Sequence, residues 1–353
     1  MAYKLYYIED LESESRKSDL ENLGFEVGQY DPERDINNVV DKINAYNPDV
    51  IIMDYRLNNG SENVYYDAPT IAATLRNKHR ANFKEIPIIL ISNESKIADF
   101  YKDFLNQDLF DYAIEKQVLN DRKDFFKERI LSYIDSYLKI KEYNFDILKI
   151  LELEEKDSVL LHSLIVKKLE PKTQQIYEYS RFVNDNLIYA IGTLIGEDIL
   201  AARLGVDKHC EDWHNLLNEL NDSMYQGIFK DSHKRWWSEK IERWWTSEFG
   251  VNNLRRLNAA ERVNLLNNKF ELNLKTAIPT KLSKSTKFWT ICKGTSKPLD
   301  PFDGIQIIKK DYKLWQEKEY FSKDYALAKI SEEKDFIDET DLKYLKDLAK
   351  SLL

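Results

Sequence analysis

The sequence predicts an α/β chain, with a doubly wound parallel sheet of five βα units over roughly residues 1–140 and an α-rich remainder with a few short strands. Three observations carry this. Short apolar runs alternate five times with segments of helical periodicity. Two of the runs, Val50-Ile51-Ile52-Met53 and Ile86-Pro87-Ile88-Ile89-Leu90-Ile91, are almost wholly apolar, as strands covered on both faces are. Beyond Pro171 the apolar spacing turns mostly helical and rich in aromatics.

Lys4–Ile8 is the first strand, and Leu11–Leu23 is a helix stopped by Gly24, a C-terminal cap. Phe25-Glu26-Val27 begins the second strand. Ile36, Val39, Val40, Ile43 and Tyr46 share one helix face, which Asn47-Pro48 ends. Val50–Met53 is the third strand, Ala68–Lys78 a helix and Ile86–Ile91 the fourth strand. Ile97–Leu105 reads as a helix, Phe110–Ile114 as the fifth strand and Asp124–Leu138 as the last helix of this part. Further on, the spread over Tyr177–Leu204, interrupted at Gly192 and Gly196, is helical. Trp213–Leu220, Arg235–Phe249, Ala259–Asn268 and Asp335–Leu352 are also helical. Phe288–Cys292 and Gly304–Ile308 are the strand candidates there.

With 353 residues the chain is too long for one ordinary core, so two domains are expected. The start of the chain lacks the basic, then long apolar, then small-residue pattern of a signal peptide, and no apolar run is long enough to span a bilayer. Two distant cysteines, Cys210 and Cys292, fit a reducing compartment and a cytoplasmic location. The net charge of −9 is uneven. Residues 1–150 hold 20 basic and 28 acidic side chains, which argues against nucleic-acid binding in that half.

Chemistry collects at the C-terminal ends of the expected strands, where parallel sheets bind ligands. Glu9 and Asp10 end the first strand, Asp54 the third and Ser92 the fourth, and Lys116 follows the fifth. Crowded carboxylates repel unless a cation sits among them. Mg²⁺ suits them, because it takes one or two carboxylates, waters and phosphate oxygens. Phosphoryl transfer to a carboxylate follows, with Asp54 as nucleophile. Lys116 supplies a second positive charge, and the Ser92 hydroxyl binds a phosphoryl oxygen.

The ordered set of Glu9-Asp10, Ile51-Ile52-Met53-Asp54 followed by Tyr55-Arg56-Leu57, Leu90-Ile91-Ser92 and Ile114-Glu115-Lys116 resembles the receiver domain of two-component response regulators. The resemblance covers roughly residues 1–140, under half of the chain. It implies a flavodoxin-like (βα)5 fold and a bacterial-type phosphoprotein in a phosphorelay. Asp54 would accept a phosphoryl group from a histidine kinase or phosphotransfer protein. Mg²⁺ would be held by Glu9, Asp10, Asp54 and the backbone carbonyl of Arg56, while Ser92 and Lys116 sense the phosphoryl group. Self-catalysed phosphoryl transfer is the only enzymatic step implied. Four features depart from the pattern. Asn93 stands where a small residue follows the hydroxyl, and Gln117 where a cis-proline follows the lysine. Ala113 occupies the aromatic switch position, with Tyr112 one residue earlier as a substitute, and Asn58–Asp67 is long. A degenerate receiver serving as a docking module is the alternative.

Residues 141–170 are expected to form a helical linker, since no Gly or Pro occurs from Ile88 to Glu170. Leu131, Ile134, Leu138, Phe145 and Leu148 fall on one heptad seam, which would pass a signal or support a homodimer, or else form the buried face of the last helix. Residues 171–353 are expected to be an α-rich output domain. Residues 228–297 carry 15 basic against 6 acidic side chains. Arg235, Lys240 and Arg243, interleaved with tryptophans, are candidate nucleic-acid contacts within 229–297, the competing reading being a core helix with a solvated basic flank. Ile199–Val206 and Trp213–Leu217 faintly resemble a helix-turn-helix with Gly205 at the turn. Cys210 and His214 lack spaced partners for zinc. No Walker loop, nucleophile elbow or dinucleotide fingerprint occurs. A protein-interaction effector is therefore the favoured output, with a nucleic-acid binder or an unrecognised enzyme as alternatives.

Overall fold

The computed structural model describes residues 2–10, 13–57, 64–78, 84–93, 109–169, 175–250, 253–308 and 312–352. The expected helix at Ile97–Leu105 and residues 58–63 of the long segment after the third strand lie outside them. The chain forms two compact units. The first comprises residues 1–151, 168–183 and 227–232, and the second comprises 152–167, 184–226 and 233–353.

In the first unit, β1 (Lys4–Ile8), β2 (Glu26–Tyr30), β3 (Val50–Asp54), β4 (Ile88–Ser92) and β5 (Tyr112–Glu115) form one parallel sheet in the order β2-β1-β3-β4-β5. Side-chain alternation explains the double cover. Tyr6, Ile8, Ile51, Met53, Ile88 and Leu90 pack on one face. There they meet Val39, Val40 and Ile43 of α2 (Ile36–Tyr46) and Ile71, Ala72 and Leu75 of α3 (Ala68–Lys78). Leu5, Tyr7, Ile52, Ile89 and Ile91 are buried on the other. The Asp35 side chain caps α2 by accepting from the Asn37 N–H, and Asn47 ends it in the left-handed conformation. α1 (Ser13–Asn22) precedes β2.

Lys116 opens α4 (Lys116–Asp121), and α5 (Lys123–Glu142) follows, burying Phe126, Ile130, Tyr133, Ile134, Tyr137 and Ile140. The described chain contains no cis peptide bond, so the Lys116–Gln117 bond is trans. The last helix expected over Asp124–Leu138 runs on past Leu138. α5 ends at Glu142, and Asn144 and Phe145 turn the chain in the left-handed region before α6 (Ile147–Ile150). Asparagine enters that region at modest cost, so a helix can stop without Gly or Pro. The heptad seam is therefore not one helix face. The expected linker divides as well: 141–151 and 168–169 belong to the first unit and 152–167 to the second. After α7 (Ser163–Leu169), α8 (Ile176–Val183) packs on α5, and Phe145 meets Tyr179 edge-on at 5.1 Å.

The second unit is α-rich, with two-stranded antiparallel pairs β6 (Leu194–Ile195)·β7 (Trp236–Trp237), β8 (Thr290–Ile291)·β9 (Pro298–Leu299) and β10 (Gly304–Gln306)·β11 (Tyr320–Ser322). Its main helices are α9 (Glu197–Leu204), α10 (Trp213–Glu219), α11 (Ser238–Phe249) and α12 (Ala259–Phe270). Short α13 (Lys323–Ala328) and α14 (Ile330–Glu333) precede α15 (Glu339–Leu352). The helical spread expected over Tyr177–Leu204 is broken near Gly192. That residue has φ +146, and a Cβ on it would lie 2.3 Å from the Trp315 carbonyl oxygen. Trp213, Trp236, Trp245, Leu216, Leu266 and Ile241 share one buried cluster. Arg203 is buried with them. Its Nη2 pairs with Glu317 at 2.7 Å, and its guanidinium lies 4.3 Å over the Trp289 ring. Among the described residues no helix is long and apolar enough to cross a membrane.

Candidate phosphoacceptor pocket

The strand order reverses direction between β1 and β3, and in such sheets the crevice at the C-terminal strand ends of that switch point takes the ligand. Glu9 and Asp10 leave β1 at this point, and Asp54 is the last residue of β3. Ligand oxygens of the three lie within 4.8 Å of one another. Glu9 and Asp54 are buried and Asp10 half-buried. Lys116 lies across the crevice. Its Nζ is 2.6 Å from Glu9 Oε2 and 3.2 Å from Asp54 Oδ2. The Tyr55 backbone N–H donates to Asp54 Oδ1 at 2.9 Å, which fixes one carboxylate oxygen.

Burial, and then the neighbouring Asp54 charge, push the Glu9 carboxyl up to about 7, although Lys116 and the Tyr7 hydroxyl pull against them. Tyr7 donates to Glu9 Oε2 at 2.8 Å, and its own phenol is held far above the usual range by burial and by Glu9. Ser92 ends β4 with no exposure, and its Oγ lacks a hydrogen-bond partner among the described residues. An unsatisfied buried hydroxyl costs about 1–3 kcal/mol, so this one sits where an incoming oxygen would relieve it. Arg56 follows on the segment leaving β3, its side chain exposed. Asn93 is exposed beside Ser92.

Five sequence-selected side chains, Glu9, Asp10, Asp54, Ser92 and Lys116, thus stand at one end of a single 2-1-3-4-5 parallel sheet. The first unit has the receiver fold. No family model matches the chain, and no curated protein does. Solved receiver domains resemble the first part of it. One is a response regulator receiver domain from Methylobacillus flagellatus, at 17% identity over 33% of this chain and 87% of that one, with a TM-score of 0.26. Another is the receiver domain of a sensor histidine kinase from Pseudomonas aeruginosa, solved with magnesium in its active-site cleft. It shares 17% identity over 38% of this chain and 100% of that one, with a TM-score of 0.30. The N-terminal domain of the lantibiotic response regulator NsrR shares 23% identity over 38% of this chain and 99% of that one, with a TM-score of 0.29.

The residue at the expected aromatic switch position and its neighbour lie on opposite faces of β5. Ala113 packs against the α2/α3 face of the sheet. Tyr112 does not substitute for an aromatic there. It stacks on Tyr133 of α5, ring centroids 5.8 Å apart, on the opposite face. Tyr133 in turn meets Phe229 edge-on at 5.0 Å.

The residues singled out for nucleic acid are engaged within the second unit. Arg235 Nε donates to the Ile188 carbonyl at 2.8 Å, Lys240 pairs with Asp157 at 3.2 Å and Arg243 pairs with Glu239. Trp236, Trp237 and Trp245 are buried, and Trp244 stacks on Phe270. The residue that sequence reading missed is Tyr7, which in an apolar strand looks like ordinary core.

Proposed function

We propose that the chain is a response regulator whose receiver accepts a phosphoryl group on Asp54 from a histidine kinase or phosphotransfer protein and controls the second unit, acting in the cytoplasm. The carrying observation is that Lys116 lies within ion-pair distance of both Glu9 and Asp54, at the strand ends next to Ser92, whose hydroxyl has no hydrogen-bond partner among the described residues. A carboxylate oxygen of Asp54 attacks phosphorus, and the bond from phosphorus to the donor nitrogen breaks, its electron pair leaving with the imidazole. Three hard oxygen ligands on Glu9, Asp10 and Asp54 fit Mg²⁺, with the Arg56 carbonyl as a further ligand. When bound, the ion neutralises charge on the transferring group. Lys116, already beside Asp54, shifts its charge to a phosphoryl oxygen, and the Ser92 hydroxyl donates to another. Trans Lys116–Gln117 geometry leaves Lys116 at the head of α4, so its movement pulls on that helix.

Output through protein contacts is the reading we favour for the second unit, in which Lys240 is paired with Asp157, Arg243 with Glu239, and Arg235 donates to backbone carbonyls. The test is thermal unfolding with and without Mg²⁺. An ion that binds only the folded state adds about 2.7 kcal/mol at a hundredfold excess over Kd. A rise in the receiver transition that disappears in Asp54→Ala supports the pocket. A melt unchanged at millimolar Mg²⁺ counts against it.

A further inference from the structure

Glu9 is held from two sides, and both holds fall on the same oxygen. Tyr7 stands two residues earlier on β1, on the same face by strand alternation. Its ring has no exposure, and its hydroxyl donates to Glu9 Oε2 at 2.8 Å. Lys116 Nζ reaches Oε2 at 2.6 Å. The two donors differ in what becomes of them. Lys116 sits on a flexible stem, is also 3.2 Å from Asp54, and is free to follow charge that develops there. The Tyr7 ring is fully buried on the face of the sheet that also buries Leu5 and Ile52, and that packing holds it in place. Its grip on Glu9 stays when Lys116 moves.

We propose that Tyr7 is a positioning residue of the Mg²⁺ pocket: its hydroxyl pins Glu9 Oε2 and keeps the other carboxylate oxygen turned to the cation that Glu9, Asp10 and Asp54 share. The inference rests on the receiver reading above. Partners that orient metal-ligating side chains matter nearly as much as the ligands, and their loss costs about 10–100-fold in metal affinity. A phenylalanine at this position would fill the same space and leave Glu9 held by Lys116 alone.

The experiment is calorimetric titration of the full chain with Mg²⁺, comparing wild type, Y7F, E9D and Y7F/E9D, with circular dichroism to establish folding. In E9D the carboxylate is one methylene shorter and out of reach of the Tyr7 hydroxyl. Y7F is expected to weaken Mg²⁺ by about tenfold or more. In the E9D background the same change should add less than about twofold, because coupled residues are non-additive. Should Y7F fail to fold, Tyr7→Met removes the hydroxyl with a flexible apolar side chain. Equal Mg²⁺ affinity for wild type and Y7F overturns the positioning role while leaving the receiver pocket intact. An equal loss in both backgrounds overturns it too, since the hydroxyl would then act other than through Glu9. No Mg²⁺ binding by wild type overturns the receiver reading and this inference together.

Discussion

Asp111, immediately before β5, accepts hydrogen bonds from three elements of the first unit. It accepts from Arg76 Nη2 at 2.6 Å, from the Tyr137 hydroxyl at 2.7 Å and from the Ile88 N–H at 2.8 Å. Arg76 lies 4.4 Å over the Tyr177 ring. These contacts tie β4, α3, α5 and α8 together at the end of the sheet away from Asp54. Removing one partner of a buried ion pair leaves an uncompensated charge, so Asp111→Ala should cost about 3–5 kcal/mol in urea unfolding. A loss below about 1 kcal/mol would mean that the network is not buried as described. In the second unit, Asp303 is raised by burial but lowered overall by the Ser285 and Lys284 N–H groups and by Lys323. A carboxyl depressed in the folded state stabilises above its unfolded value, near 3.8, and loses that contribution as pH falls toward its folded value. Asp303→Asn should therefore flatten the stability-against-pH curve between about pH 5 and 2, as followed by urea midpoints. The pocket residues were legible in the sequence because each ends an apolar run and so has a fixed address. Tyr7, Asp111 and Arg76 were not, because their roles depend on partners far away in the chain.

Lys116 sits at the junction of strand and helix, which makes that junction the expected place for a change at Asp54 to leave the pocket. It heads α4, α4 packs on α5, and Tyr133 of α5 lies between Tyr112 of β5 and Phe229. Residues 227–232 are held to the first unit by a further bond between Ser232 and Ser132 hydroxyls at 2.8 Å and by the Ile228 N–H to the Ile150 carbonyl at 3.1 Å. Packed elements change between discrete arrangements rather than deforming smoothly. Phosphorylation should therefore alter hydrogen exchange at 112–121 and at 227–232, and Phe229→Ala should abolish the second change while keeping the first. Identical exchange in both states, with phosphorylation confirmed, would make the receiver a docking module. The five strands and α2 and α3 were legible from period and apolar content. The end of α5 was not, because Asn144 and Phe145 turn the chain without the glycine that usually announces such a turn. The short strands β6 and β7 were hidden because two-residue strands carry no period.

The chain enters the first unit three times, so a boundary near residue 140 omits part of its structure. A fragment ending there lacks α8 and 227–232 and would uncover the faces of Tyr133 and Tyr137. It should melt below the receiver transition of the full chain and bind a dye for exposed apolar surface. A fragment as stable as the full chain would show those returning segments to be passengers. Chain length and the change of period beyond Pro171 led to the expectation of two domains, but a linear reading cannot detect segments that return. The claim on which the rest depends is that Asp54 takes the phosphoryl group. Its direct measurement is intact-protein mass spectrometry after incubation with a small phosphodonor and Mg²⁺, on wild type and on Asp54→Asn. One added phosphoryl group on wild type, absent without Mg²⁺ and absent from Asp54→Asn, is the expected result. Equal labelling of Asp54→Asn, or none on wild type under conditions where Mg²⁺ binds, would contradict it.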